Sequence, residues 1–193
     1  MNNTNQNQTP RILFTGCLCL LMAGIFTLPL APAVFGEVLS LEEGQLLPSV
    51  TLIGKDGESV SLDSLKGKVT LVSIVPQLNT PVCDEQTHRF SEQNEGLDEF
   101  IALVTMSTNT HTDQIKFATE AKIHNMTFLS DAPDFNFGRK TGLLLEDIDI
   151  LHRAVILLDK DSIIRYVELV PMSQLPNFEQ AYGAVRRILP KSS

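Results

Sequence analysis

The sequence predicts an α/β protein: a three-layer α/β sandwich with a mixed central sheet and an N-terminal β-hairpin. Three observations support this fold class. Nearly continuous aliphatic segments recur along the chain, mostly polar segments with helical spacing lie between them, and turn signals join neighbouring segments. Such aliphatic segments are typical of strands that are covered on both faces. With 193 residues, of which 43% are hydrophobic, the chain is large enough to bury a core.

The predicted strands begin with the hairpin. Two short strands, at residues 49–53 and 59–62, flank the turn signal Gly-Lys-Asp-Gly. Three aliphatic segments then form the centre of the sheet, at residues 69–75, 100–106 and 154–158. A turn at residues 159–162 leads into a last strand at 163–169, so the final two strands are expected to pair antiparallel.

Four helices are predicted to cover this sheet. The first, at residues 81–97, connects two central strands and places Val82, Phe90 and Leu97 on one stripe. The others are predicted at residues 112–124, 135–141 and 177–189. The expected order is a βαβ unit, then further helices, then a ββα ending, which is an arrangement of helices on a mixed sheet.

Residues 1–36 differ in character from the rest of the chain. A polar start and the single charge of Arg11 precede an uncharged apolar segment that contains Ala-Pro-Ala. This three-part pattern predicts a secretory signal peptide, with cleavage after Ala33 or Gly36. The protein is therefore expected to be extracytoplasmic, in the periplasm.

An uncleaved membrane anchor is the alternative. Residues 12–28 are free of proline and charge, but as a helix they would span only about 26 Å of a hydrocarbon core about 30 Å thick. Cys17 and Cys19 lie in this segment and are interpreted as small hydrophobic residues. Residues 37–193 contain no repeat and no linker, and are predicted to form one domain.

Charge and composition exclude several classes of function. The 15 basic and 23 acidic residues give a net charge of −8, which is opposite to that of a nucleic-acid binder. Three cysteines are too few for a disulfide scaffold, and there is no paired Cys-x-x-Cys that would hold zinc. Four histidines are present, none in a metal-ligand spacing: His88, His111, His124 and His152. No metal or other cofactor is expected.

Cys83 is the only cysteine beyond the N-terminal segment, and it follows a predicted central strand. Thr80 is a good N-cap residue and Pro81 a good first helical residue, so Cys83 is expected in the first helical turn, where backbone N–H groups are unpaired. Those donors and the helix dipole favour a thiolate. Because the negative charges of Asp84 and Glu85 disfavour a thiolate beside them, a nearby cation is needed to stabilise it.

The alternative for any lone cysteine is a small buried hydrophobe. Here the position after a central strand, at a helix N-terminus, favours a reactive thiol because open α/β sheets bind ligands there. A dithiol exchange role is disfavoured, since Cys83 is followed by Asp-Glu-Gln and not by a second cysteine. A Cys-His hydrolase is disfavoured as well, because His88 has a poor helical spacing for facing Cys83.

The residues around Cys83 resemble the active site of a known family. Pro76, Thr80 and Cys83 fit the P-x-x-x-T/S-x-x-C signature of peroxiredoxins, and the string NTPVCDEQTHRF is similar to the bacterial thiol peroxidases among them. Similar segments continue over residues 45–188, and Arg153 in HRAVILLD matches the family's active-site arginine. The resemblance implies a thioredoxin-like fold, an enzyme that reduces peroxides, and a homodimer.

The resemblance also implies a role for each of these residues. The Cys83 thiolate would attack a peroxide oxygen and become a sulfenic acid. Arg153 would supply the missing cation, Thr80 would hydrogen-bond the peroxide, and Pro76 would wall the pocket against water. In the alternative interpretation Thr80 only caps the helix, Pro76 only ends a strand and Arg153 only forms a surface ion pair.

One family feature is missing. Two-cysteine thiol peroxidases carry a resolving cysteine in a segment resembling R-F-C-x-A-E-G, and here the corresponding residues 116–122 have Ala118 at that position. We therefore expect a one-cysteine cycle, in which an external thiol reduces the Cys83 sulfenic acid. The external thiol would be a thioredoxin-like protein or a small thiol. Two alternatives use the same fold: a peroxide sensor or thiol-regulated binding module, and a domain without activity.

Overall fold

Residues 41–190 are described by the computed structural model of the chain, and seven of their nine strands form one mixed sheet. The strands are β1 (Thr51–Ile53), β2 (Ser59–Ser61), β3 (Thr70–Ile74), β4 (Ala102–Ser107), β5 (Thr127–Ser130), β6 (Leu144–Leu145), β7 (Ile150–Leu151), β8 (Ala154–Leu158) and β9 (Ile164–Leu169). The α-helices are α1 (Pro81–Glu92), α2 (His111–Glu120), α3 (Asn136–Thr141) and α4 (Phe178–Ile188). Short 3-10 helices lie between β2 and β3, at Leu62–Leu65, and between α1 and β4, at Leu97–Glu99.

The strand order of the large sheet is β2-β1-β5-β4-β3-β8-β9. Strand β3 pairs parallel with β4 and antiparallel with β8, and the last two strands, β8 and β9, also pair antiparallel, as predicted. Ile74, at the end of β3, lies opposite Ala154, at the start of β8. This register places Arg153, the residue before β8, at the end of the sheet where β3 stops and the segment leading to Cys83 begins.

The core lies on both faces of the sheet. Alternate residues of β8 point to opposite sides: Ile156 packs in a cluster with Phe137 of α3, whereas Leu157 packs in a cluster with Phe90 of α1 and Tyr182 of α4. All five residues of β8 are buried, as are all five of β3. The predicted three-layer α/β fold, with strands covered on both faces, is confirmed.

The structure differs from the predicted elements in three places. Strand β5 and the small β6–β7 hairpin were not expected, because short strands of two to four residues leave no clear periodic pattern. Helix α1 ends before Leu97, since Glu95 and Gly96 adopt left-handed backbone angles, φ 58° and 76°. Helix α2 also ends early: Lys122 has φ 57°, and the N–H of Ile123 closes the helix on the carbonyl of Ala118.

The predicted signal peptide or anchor, including residues 12–28, lies outside the described residues, and the proposed boundary after residue 36 stays a prediction. Within residues 41–190, no helix combines the length and apolar character that a membrane-spanning segment needs.

A first prediction concerns Tyr182, which joins α4 to α1. Its hydroxyl donates to the Arg89 carbonyl at 3.2 Å, and burial raises the pKa of Tyr182 from 10.0 to about 12. Between these two values the unfolded chain loses the phenol proton first, so stability should fall as the pH rises. From pH 10 to pH 12, the free energy of unfolding should fall by about 2 kcal/mol more in the unmodified chain than in Tyr182→Phe. Denaturant titrations at each pH give this free energy for both proteins. The same dependence on pH in the two proteins would contradict the prediction.

Candidate active site

Cys83 is the third residue of helix α1, as the local sequence predicts. Thr80 has extended backbone angles at the N-cap, Pro81 opens the helix, and the N–H of Asp84 donates to the Thr80 carbonyl at 2.9 Å. The Cys83 side chain is only 1% exposed and is the one free cysteine among residues 41–190. The first turn of α1 therefore holds the sulfur inside the protein.

Arg153 lies against this sulfur. Its Nη2 donates to Cys83 Sγ at 3.2 Å and to the Met172 carbonyl at 3.1 Å, while its Nη1 donates to Gln86 Oε1 at 2.6 Å. The side chain is 1% exposed, so Arg153 does not form a surface ion pair. The register of β3 and β8 brings these two residues together although they are 70 positions apart.

Arg153 has no carboxylate partner among residues 41–190. In the part of the chain that the structure describes, its guanidinium donates only to neutral oxygens and to the Cys83 sulfur. A buried cation without a counter-charge is unfavourable, and removing that penalty requires an anion at contact distance. Among the groups that the guanidinium contacts, the Cys83 sulfur is the one that can carry a negative charge.

Gln86 completes the arrangement and was not singled out by the sequence analysis. It is fully buried, one helical turn after Cys83, and its Nε2 donates to Ser73 Oγ at 2.8 Å. Because the amide nitrogen is fixed by Ser73, the amide oxygen must face Arg153. Its spacing in the sequence could have identified it, because a glutamine three residues after Cys83 lies on the same helix face.

Thr80 and Pro76 lie in the segment that connects β3 to α1. The Thr80 hydroxyl donates to the Gln77 carbonyl at 3.0 Å, and its side chain forms no helix-capping hydrogen bond. Thr80 is partly exposed, whereas Pro76 is buried two residues after Ile74, the last residue of β3. The N–H of Leu78 donates to Asn109 Oδ1 at 2.9 Å, which fixes this segment to the loop after β4. Neither Thr80 nor Pro76 contacts the Cys83 sulfur through a hydrogen bond.

The other chemical groups lie away from the sulfur. His88 pairs along α1 with Asp84 and Glu92, at 3.6 and 2.9 Å, and so does not form a Cys-His pair. Among the described residues no cluster of three or more His, Cys, Asp or Glu side chains could hold a metal ion. Cys83 belongs to an apolar cluster whose other buried members are Val75, Leu78, Ile123 and Phe128.

This geometry agrees with the comparison to known proteins. The Redoxin family model matches residues 42–182. A thiol peroxidase from Staphylococcus haemolyticus is 35% identical over 149 residues, which cover 77% of this chain and 90% of the relative. A thiol peroxidase from Halalkalibacterium halodurans is 34% identical over 147 residues, covering 76% of this chain and 88% of the relative.

Solved structures give the same result for the fold. The crystal structure of a peroxiredoxin-like protein from Aquifex aeolicus superposes with a TM-score of 0.71 at 28% identity, over 78% of this chain and 90% of that chain. The predicted thioredoxin-like architecture is thus confirmed. The chain belongs to the Redoxin family and, within it, to the thiol peroxidases of the peroxiredoxin class.

Proposed function

We propose that this chain reduces hydrogen peroxide and organic hydroperoxides through a sulfenic acid on Cys83. The proposal rests above all on the contact of 3.2 Å between Arg153 Nη2 and Cys83 Sγ, with both side chains buried. A thiolate held by a guanidinium is a nucleophile in a site that also binds oxygen atoms. The names of the relatives from Staphylococcus haemolyticus and Halalkalibacterium halodurans support the same class of reaction.

In the proposed step the Cys83 thiolate attacks one oxygen of the peroxide. The S–O bond forms as the O–O bond breaks, and the leaving hydroxide or alkoxide takes up a proton to become water or an alcohol. Arg153 stabilises the charge that moves from sulfur to oxygen, since its donors can hold both atoms. Thr80 Oγ1, whose proton goes to the Gln77 carbonyl, accepts a hydrogen bond from the peroxide O–H, and the buried Pro76 limits water around the sulfur.

The cycle is proposed to use one cysteine. Cys83 is the only cysteine in residues 41–190, and Ala118 stands on α2 at the position where two-cysteine relatives carry the second thiol. An external thiol, either a thioredoxin-like protein or a small thiol, must therefore reduce the sulfenic acid.

The cellular setting is proposed from the sequence alone. The pattern in residues 1–36 supports export to the periplasm, where the domain would be free after cleavage or held by residues 12–28. A homodimer is proposed from the resemblance to the family.

The function is tested with the full-length chain carrying Cys17→Ser and Cys19→Ser, so that Cys83 is its only thiol. Hydrogen peroxide in equimolar amount should give a dimedone-reactive sulfenic acid on Cys83, and dithiothreitol should then support many turnovers. A modified Cys83 that forms a lasting disulfide with a partner protein and does not turn over would favour a sensor. A thiol that resists peroxide would contradict both functions.

Gln86 gives a second prediction for the same reaction. Gln86→Met keeps the length of the side chain but removes the oxygen that accepts from Arg153 Nη1, so the guanidinium loses its orientation. We expect stopped-flow oxidation of Cys83 to slow about tenfold. Gln93→Met, at the exposed end of α1, is the matched control and should leave the rate unchanged. Equal rates in the two variants would contradict the role of Gln86.

A further inference from the structure

A cleft of about 550 Å³ lies between the turn that joins β1 and β2, helix α2 and strand β5; we call it the α2 cleft. Apolar side chains form much of its lining, including those of Val60, Ile123 and Phe128. The exposed side chains of Lys55 and Glu58 border it on the hairpin side. It therefore combines an apolar surface with two opposite charges.

The α2 cleft adjoins the packing around Cys83. Ile123 and Phe128 line the cleft and also belong to the apolar cluster that contains Cys83. Ala118 lines the cleft from α2 and packs against the same cluster. Arg153 does not line it, so the α2 cleft is separate from the place where the peroxide oxygens must bind.

Three polar groups of the α2 cleft have unused bonding capacity. Gln114 is 0% exposed and its Nε2 donates two hydrogen bonds, but its Oε1 has no partner within the described part of the chain. A buried acceptor without a donor is unfavourable, which favours a ligand that brings an N–H or S–H group. Of residues 41–190, none pairs with the Lys55 ammonium, and the Glu58 carboxylate accepts only from the Asp56 N–H.

We propose that the α2 cleft binds the external reductant, and that this reductant is a low-molecular-weight thiol carrying both a carboxylate and an ammonium group. The proposal rests on the proposed peroxidase function, in which Cys83 needs a thiol from outside. Lys55 pairs with the ligand carboxylate, Glu58 with its ammonium, and Gln114 Oε1 accepts from an amide or thiol. An alkyl hydroperoxide carries no charged group, so it would leave Lys55 and Glu58 without an ionic partner.

Binding in the α2 cleft raises the local concentration of the thiol beside Cys83. Because Cys83 does not line the α2 cleft, the proposed step requires the side chains of Ile123 and Phe128 to move apart. The ligand sulfur then attacks the Cys83 sulfur: an S–S bond forms, the S–O bond breaks, and the hydroxyl group leaves as water with the thiol proton. A second thiol attacks the mixed disulfide and restores the Cys83 thiol. The two thiols lose two electrons and leave as a disulfide, and the sulfenic acid gains those electrons.

The test separates the thiol step from the peroxide step. The sulfenic acid of the full-length chain carrying Cys17→Ser and Cys19→Ser is mixed with glutathione or with the uncharged 2-mercaptoethanol. The rate should saturate with glutathione, and at low glutathione it should fall about fivefold in Lys55→Glu. The rate with 2-mercaptoethanol and the oxidation by peroxide should not change. Lys116→Glu, an exposed lysine of α2 outside the cleft, is the matched control.

A glutathione rate that stays linear in concentration, or that falls equally in both lysine variants, would overturn the proposal. A change in the KM for cumene hydroperoxide in Lys55→Glu, with the glutathione rate unchanged, would overturn it too, since it would place the peroxide in the α2 cleft.

Binding is measured without chemistry as well. S-methylglutathione, which cannot reduce Cys83, is titrated into the reduced protein and followed by NMR. Saturable shifts confined to the α2 cleft, and lost when Ala118→Leu fills it, would support the site even where Cys83 resists peroxide. The absence of such shifts would overturn it.

Discussion

Replacing Arg153 by alanine is expected to slow the oxidation of Cys83 by hydrogen peroxide about 10²- to 10³-fold. The change removes the only cation that contacts the sulfur among residues 41–190, and with it the donors that face the reacting oxygens. It also leaves Gln86 Oε1 and the Met172 carbonyl without the donor they now share. The rate is followed by stopped-flow mixing under pseudo-first-order conditions.

Arg153→Lys is the informative control. It keeps the positive charge but replaces a planar fork of donors by one ammonium, which cannot contact Cys83, Gln86 and Met172 with the same geometry. We expect it to recover part of the lost rate. Circular dichroism of all variants checks that the fold is retained. An Arg153→Ala rate within about threefold of the unmodified protein would contradict a role in the reaction, because a donor of this kind is worth much more.

Replacing Phe90 by alanine is expected to lower the free energy of unfolding by about 3–5 kcal/mol. Phe90 is fully buried on α1, and its ring lies 4.8 Å from that of Phe178 and 5.9 Å from that of Tyr182, centroid to centroid. These contacts hold α1 against α4. Because α1 also carries Cys83, its amides should exchange with solvent faster in the variant. Denaturant titration and hydrogen exchange measure the two effects.

Phe100→Ala provides the matched control for this substitution. Phe100 is 68% exposed in the segment before β4, so its loss should change the free energy of unfolding by less than about 0.5 kcal/mol. Similar losses for the two phenylalanines would contradict the packing between α1 and α4.

Local sequence was sufficient for the part of the site that depends on neighbouring residues. The buried strand β3, the N-cap position of Thr80 and the proline after it determine that Cys83 falls in the first turn of α1. The same holds for α4, where the predicted start agrees with the cap: Asn177 accepts from the N–H of Gln180. Such features depend on a few consecutive residues and on steric rules that a single sequence displays.

Contacts between distant elements could not be derived in that way. The position of Arg153 beside Cys83 follows from the register of β3 and β8, which periodicity does not determine, and it was expected only because of the family resemblance. Gln86 and the Met172 carbonyl were missed because each becomes meaningful only once Arg153 is in place. Strand β5 was missed since four residues with one exposed end give no clear alternation.

The central claim, that Arg153 holds Cys83 as a peroxide-reactive thiolate, is tested most directly by one rate constant. The full-length chain with Cys17→Ser and Cys19→Ser is reduced and mixed with hydrogen peroxide, and Cys83 oxidation is followed on the millisecond scale beside free cysteine at the same pH. We predict oxidation orders of magnitude faster than that of free cysteine, and dependent on Arg153. Oxidation no faster than that of free cysteine would contradict the account.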